Sequence, residues 1–387
     1  MCVAHCPVAA STLNFRGPKL TGPAYERFRL LGFGDETSLE YCSNCKCCDL
    51  SCPSGVPVAT FNMLARAAYC RQHPPPLRDW LLAHFGTVAS LAAYIPAFAL
   101  NLGKNNPISR LGMRGMGIDS RAPFPDFAPL SQRRALKKHK QPPAGEKTIA
   151  LFPGCFISNF EPQVALDSIA LFRKAGYTVV IPENFVCCGL PLIANGYADD
   201  ALDNARANSL ELAQWAQQNI PVIAACPSCA LMLQREYREL FPREQGLGRY
   251  AATVMDACEF VSALMDKGEL SLEQCKPPVD RLAYHAPCHL RAQGIGRTGM
   301  EMLRRIPGLA VEDMDSGCCG ISGSYGFKRN KYDIAMRVGA PLFDALRNSK
   351  ANLAVSECGT CRVQMRHGSS LPAEHPLSFL LRTINKA

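Results

Sequence analysis

Val186-Cys187-Cys188-Gly189-Leu190 and Gly317-Cys318-Cys319-Gly320-Ile321 carry the same Cys-Cys-Gly run, and each stands inside a set of five cysteines. Cys155 precedes the first run and Cys226/Cys229 follow it; Cys288 precedes the second and Cys358/Cys361 follow it. Matching cysteines are 133, 131, 131, 132 and 132 residues apart, so ten of the chain's 20 cysteines lie in register in a tandem duplication. Packing does not call for five thiols at near-constant spacing. Thiolates gathered at one point bind soft metal, most naturally iron with sulfide. Adjacent side chains diverge on an extended backbone, so both cysteines of a pair reach one centre only from a bent chain. Gly189 and Gly320 permit that bend through positive φ.

Around these cysteines the pattern is α/β. Short apolar runs at Thr148–Phe152, Thr178–Ile181 and Pro221–Ala225 alternate with helical periodicity at Gln163–Ala175 and Asp199–Gln218. The second half repeats the order: strands at Leu282–His285, Ala310–Glu312 and Leu353–Val355, helices at Thr298–Arg305 and Tyr332–Asn348. Alternation of this kind predicts parallel βαβ units. The cysteines fall just after strand ends, where open α/β sheets place ligands.

Before the duplication stands a different signal. Cys42-x2-Cys45-x2-Cys48-x3-Cys52-Pro53 is a complete bacterial ferredoxin run, in which three cysteines grip one cube and the fourth serves another. Structural zinc usually takes two separated pairs instead. Cys2-x3-Cys6-Pro7 reads as the tail of a second run. Cys6, Cys42, Cys45 and Cys48 thus complete one [4Fe–4S] site, while Cys2 and Cys52 supply two ligands of another. Either two ligands precede the present start or the head carries one cube; the first reading leaves neither Cys2 nor Cys52 idle. Cys47 is expected to point away as a bystander, and Cys70, Cys258 and Cys275 to be ordinary buried thiols.

A single cube needs four thiolates, and each repeat offers five. A larger or non-cubane iron–sulfur cluster would use the surplus; zinc with a spare cysteine is the alternative. A redox disulfide at Cys226/Cys229 or Cys358/Cys361 is a weaker rival. His285 and His289 flank Cys288 and are candidates either for metal contact or for a structural hydrogen bond.

These divisions place an iron–sulfur head at 1–73, a connecting region at 74–146, and the duplicated domains at 147–277 and 278–387. The connecting region holds a mostly apolar stretch, Trp80–Leu102, interrupted by His84, Ser90 and Pro96. It is expected to be a helix pair on the core, then an interfacial helix, and least of all a span. A Pro-rich linker, 123–143, follows, with a basic block at Arg133–Lys140 that reads as a solvated segment or an attraction to anionic membrane. The net charge of +9 comes with no nucleic-acid module, and no Gly-rich phosphate loop argues for a flavin or nucleotide. Met1-Cys2-Val3-Ala4-His5-Cys6 has no basic region followed by an apolar run, so the cysteines read as a metal framework rather than disulfides.

The chain resembles the CCG-domain family, which includes heterodisulfide reductase subunits and the iron–sulfur subunits of glycolate and lactate oxidases. Cys187-Cys188-Gly189-Leu190-Pro191-Leu192-Ile193-Ala194-Asn195-Gly196, Asp315-Ser316-Gly317-Cys318-Cys319-Gly320-Ile321, Tyr325-Gly326-Phe327-Lys328 and Tyr41-Cys42-Ser43-Asn44-Cys45-Lys46 carry the likeness. These stretches narrow it to the C subunits of anaerobic glycerol-3-phosphate dehydrogenases. The resemblance implies an α/β chain with a ferredoxin-like head and two CCG domains. It also implies a non-catalytic electron carrier between flavoprotein dehydrogenase subunits and menaquinone, peripheral on the cytoplasmic face of the inner membrane. It implies cluster-binding cysteines in both repeats and leaves the cluster type open, as iron–sulfur or zinc.

Overall fold

The computed structural model of the protein describes residues 1–34, 36–91, 95–137, 139, 147–273 and 275–385. Two four-stranded sheets dominate it. The first comprises β1 (Thr148–Phe152), β2 (Thr178–Val180), β3 (Val222–Ala224) and β4 (Val254–Asp256), in the order β2-β1-β3-β4. The second comprises β5 (Arg281–Tyr284), β6 (Ala310–Asp313), β7 (Ala354–Val355) and β8 (Ala373–Glu374), in the order β6-β5-β7-β8. Every pairing is parallel. Every residue of β1 is buried, as a central parallel strand covered on both faces requires. Its Ile, Leu and Phe side chains each contribute about 1.5–3 kcal/mol on burial.

The two sheets repeat each other in register. Leu151 lies opposite Ile223 in the first and Tyr284 opposite Val355 in the second, reproducing the 133- and 132-residue offsets of the cysteines. The edge strands β4 and β8 escape the sequence reading, each being short and ending on an acidic residue instead of a continuous apolar run. One hydrophobic core joins the halves: Ile149, Leu151 and Ile223 share it with Leu282, Tyr284 and Val355. The helix Pro162–Lys174 packs on Pro376–Ile384, and Ala257–Asp266 on Thr298–Leu303, so each half covers the other.

Residues 1–73 contribute helices at Pro7–Ser11, Tyr25–Leu30, Cys47–Leu50 and Val58–Gln72, and no strand among the described residues. Ferredoxin-like therefore describes the cysteine spacing of this head, and its fold is not shown to be that of a ferredoxin. The head touches both halves: Val58–Gln72 packs on Tyr237–Leu240, Cys47–Leu50 on Cys288–Gln293, and Pro7–Ser11 on Tyr332–Asn348.

The apolar stretch Trp80–Leu102 does not form one helix. It contributes to the helices Leu77–Ala83, Phe85–Leu91 and Ala97–Asn105, broken at His84 and before Pro96. Ala92, Ala93 and Tyr94 lie outside the described residues, as do Lys138, Lys140 and 141–146 of the linker. No described helix is long and apolar enough to cross a membrane. The Phe85 ring stacks on Phe160 at 4.7 Å, fastening part of the stretch to the first half. The basic block is not wholly solvated either. Arg133 is buried, and its guanidinium donates to the Ile95 carbonyl at 3.2 Å.

Candidate metal centres

Strand ends position all ten repeated cysteines. Cys155 enters the helix that follows β1, Cys187 and Cys188 sit in the loop after β2, and Cys226 and Cys229 open the helix after β3. Cys288, Cys318/Cys319 and Cys358/Cys361 occupy the same places after β5, β6 and β7. Gly189 and Gly320 adopt φ of 86° and 88°, which makes the bend expected from the sequence. At Gly320 a Cβ would also collide with the Ala335 carbonyl. Polar side chains hold the first bend. Asn204 and Asn208 donate to the Cys187 carbonyl at 3.0 and 3.3 Å, and the Tyr237 hydroxyl donates to that of Cys188 at 3.0 Å.

The sulfurs converge in each repeat. Cys155 and Cys187 Sγ lie 3.6 Å apart in the first, and Cys319 and Cys361 Sγ 3.1 Å apart in the second. Neither pair is bridged, and no disulfide joins any of the cysteines. The two sets also converge on each other. One cavity of about 150 Å³ is lined by nine of the ten repeat cysteines, all but Cys187, with Phe85, Phe156 and Phe327 in its wall.

Reciprocal contacts lock this arrangement. The residue after the first cysteine of each repeat reaches the Cys-x-x-Cys loop of the other. Phe156 packs so tightly on Gly359 that no Cβ fits there. His289 Nδ1 lies 2.9 Å from the hydroxyl of Ser228, and its Nε2 lies 2.9 Å from the Asn44 carbonyl in the head. The carbonyl is only an acceptor, so Nε2 donates to it, and in the neutral imidazole Nδ1 is then the acceptor for the serine hydroxyl. One imidazole thus ties together the three cysteine loops, and it serves as the structural hydrogen-bonding histidine.

In the head, left-handed Asn44 and Lys46 (φ 52° and 61°) curl the loop so that Cys42, Cys45 and Cys48 are all buried, with Cys6 beside Cys42 and Cys45. The Ala9 amide donates to Cys6 Sγ at 3.5 Å, and Asn62 Nδ2 to Cys42 Sγ at 3.8 Å. Cys2 and Cys52 are half-buried near Val56, whose amide donates to Cys52 Sγ at 3.4 Å. Cys47 does not point away. It is half-buried against the cluster that holds Cys45 and Cys318, where the helix Cys47–Leu50 packs on Cys288–Gln293, so the head and the second repeat meet there. Cys258 and Cys275 are buried, whereas Cys70 is half-buried against Gly196.

Electrostatics repeats with the sequence. Hydrogen bonding from Cys155 holds the Cys187 thiol well below its ordinary value, and Cys288 does the same for Cys318. Hydrogen bonding from Cys361 brings Cys358 down to about 6. Burial pushes Cys6 up to about 12 and raises Cys42 and Cys48. Burial likewise lowers His285 to about 4, leaving a neutral imidazole. A ring nitrogen of His285 and the sulfurs of Cys319 and Cys361 lie within 4.8 Å of one another. Soft donors held close and out of water fit a thiolate-ligated metal, whose charge displaces the thiol protons.

Two charged features near the head were not legible in the sequence. Lys46, inside the cysteine loop, forms a wholly buried ion pair with Glu236. Arg66, Lys328 and Lys331 line a small cavity with Cys42 and Tyr325. Nothing in the spacing marks Lys46, Lys328 or Lys331 as interior.

A family model, the cysteine-rich CCG domain, matches residues 149–234 and 282–366. The chain is 34% identical to the C subunit of the anaerobic glycerol-3-phosphate dehydrogenase of Escherichia coli (strain K12), over 99% of this chain and 96% of the relative. It is 26% identical to the B subunit of the fumarate reductase (CoM/CoB) of Methanothermobacter marburgensis, over 94% of this chain and 66% of that one. Lactate utilization protein A 1 of Bacillus anthracis is 23% identical, over 62% of this chain and 99% of its own length.

Proposed function

The chain belongs to the family of anaerobic glycerol-3-phosphate dehydrogenase C subunits, with two CCG domains, and from that premise we propose that it is the electron-transfer subunit of such an enzyme. Electrons pass from a flavoprotein subunit that oxidises glycerol 3-phosphate, through this chain, to menaquinone. The observation that carries the reading is the contiguity of the thiols: Cys45 of the head shares a buried cluster with Cys318, Cys47 packs against it, and Cys318 lines the cavity shared by both repeats. Iron–sulfur clusters, when bound, supply one-electron carriers. Cys6, Cys42, Cys45 and Cys48 would hold a [4Fe–4S] cube, with Cys2 and Cys52 belonging to a second. The two five-cysteine sets would hold a centre each, and five thiols favour iron–sulfur over tetrahedral zinc.

This chain's own residues do the rest. His289 fixes the three loops relative to one another. Phe85, Phe156 and Phe327 give the shared cavity an apolar wall. The Ala9 amide and Asn62 direct hydrogen bonds at sulfur, the kind of contact that sets a cluster's potential. The domains would run as 1–73, 74–146, 147–277 and 278–387.

Membrane contact belongs to the same proposal, at the cytoplasmic face. Phe98, Leu102 and Leu111, on the neighbouring helices Ala97–Asn105 and Pro107–Gly115, are 75%, 73% and 70% exposed, with Arg110 and Arg114 beside them. That combination suits the surface of an anionic bilayer. A second reading, direct reduction of a disulfide at the shared cavity, is favoured only by its lining from both repeats.

The test combines the anaerobically purified chain with its flavoprotein subunits. Glycerol 3-phosphate should then bleach the visible absorption of this chain. Full reduction by dithionite with no reduction through the flavoprotein would refute the reading. Disulfide turnover with a reduced dye and no flavoprotein would favour the second.

A further inference from the structure

The duplication is unequal where it matters chemically. The strand registers put Phe152 in the first half where His285 stands in the second. Phe152 packs in one buried cluster with Cys188 and Cys229, and its ring meets Phe185 edge-on at 5.0 Å. The matching surroundings of His285 are Cys319 and Cys361, with a ring nitrogen and both sulfurs inside 4.8 Å. His285 is as thoroughly buried as Phe152, yet its Nε2 has no hydrogen-bond partner among the described residues. A buried, unpartnered ring nitrogen costs free energy unless something at the site engages it. Among the described residues no histidine does this for the first half. His84 stands near Cys187, but its Nδ1 faces the Trp80 carbonyl at 3.0 Å and its Nε2 faces Asp200 at 3.0 Å.

We propose that His285 makes a direct nitrogen contact with the second metal centre, which the first centre lacks, so that the second is the more easily reduced of the two. The inference rests on the metal-binding reading above. Both forms of the contact act in the same direction. A neutral imidazole that takes the place of one of the five thiolates removes a negative charge from the centre, and an N–H donated to sulfur spreads charge off the cluster; each favours the reduced state. The apolar wall of Phe152 offers neither. An electron entering the pair therefore settles on the second centre, on the side where Cys318 shares a buried cluster with Cys45 of the head. The duplicated fold acquires a direction from one substituted position.

The experiment is a redox titration of the metal-loaded chain followed by paramagnetic resonance, with nitrogen hyperfine coupling measured on each reduced signal. Two potentials are expected, with nitrogen coupling on the higher-potential signal. Strong coupling identifies a ligand and weak coupling a hydrogen bond, and either supports the proposal. His285→Phe should abolish the coupling and move that potential down toward the other, which stays in place. Phe152→His should move the lower one up. Should either variant fail to fold, the unaltered chain still decides the matter. Coincident potentials or no nitrogen coupling in a sample shown to contain metal overturn this inference alone. A sample shown by analysis to bind no metal overturns the underlying reading as well.

Discussion

Replacing His289 with alanine should disturb all three cysteine loops together. The side chain is buried and makes two 2.9 Å contacts, to Ser228 between Cys226 and Cys229 and to Asn44 between Cys42 and Cys45, while it follows Cys288 in the chain. His289→Ala removes both hydrogen bonds and leaves the buried Asn44 carbonyl without this donor. Each buried polar group left unpaired costs about 1–3 kcal/mol, so with the lost packing the change should cost roughly 3–5 kcal/mol. That is a large share of the ~5–15 kcal/mol that holds an ordinary domain together. Ser228→Ala removes only one of the two contacts and should cost about 1 kcal/mol. The assay is urea unfolding of the anaerobic chain alongside iron content and cluster spectra. Iron should fall in the head and in both repeats under His289→Ala, and only slightly under Ser228→Ala. A variant within about 0.5 kcal/mol of the unaltered protein, or iron lost from the second repeat alone, would refute the claim that this imidazole ties the three sites.

Three further outcomes follow from single positions. Gly320→Ala places a Cβ against the Ala335 carbonyl at a φ of 88°, so the Cys318-Cys319 bend should fail; metal loss from the second repeat with the first intact is the readout. Lys46→Met should destabilise the head by about 3–5 kcal/mol, because it leaves Glu236 charged, buried and unpaired, and Lys46→Met with Glu236→Met should recover most of that in the same unfolding assay. Burial raises Asp256 from 3.8 to about 7, so the fold prefers its protonated form. Its contribution is full below about pH 4 and is lost as the pH climbs through 7, a swing of roughly 4 kcal/mol. Asp256→Asn keeps a cap for the helix Ala257–Asp266 and should raise the melting temperature more at pH 8 than at pH 5.

The central strands were legible because buried β-branched and apolar runs such as Thr148–Phe152 have few other uses, and the cysteines mark where they end. Val254–Asp256 and Ala373–Glu374 were not, since each is a short edge strand that ends on an acidic residue and lacks a continuous apolar run. The duplication disclosed that each half gathers its own sulfurs. It did not disclose that both halves face one cavity, because local spacing carries no information about how two units dock. That relation is set by contacts between distant residues, Phe156 with Gly359 and His289 with Ser228. Cys47 was misread for a similar reason. It packs against a cluster that includes Cys318, more than 240 residues further along the chain. Trp80–Leu102 was apolar enough in sum to raise a membrane helix, but the chain breaks at His84 and before Pro96 and leaves only short helices.

Iron and acid-labile sulfide per chain, measured on oxygen-free protein together with Mössbauer spectra, test the account most directly. It predicts more iron than one cube can hold, matched by sulfide, with sulfur-ligated signals that diminish when the cysteines of either repeat are replaced. Alkylation of all ten repeat thiols in the folded protein, or zinc without sulfide in both repeats, would contradict it.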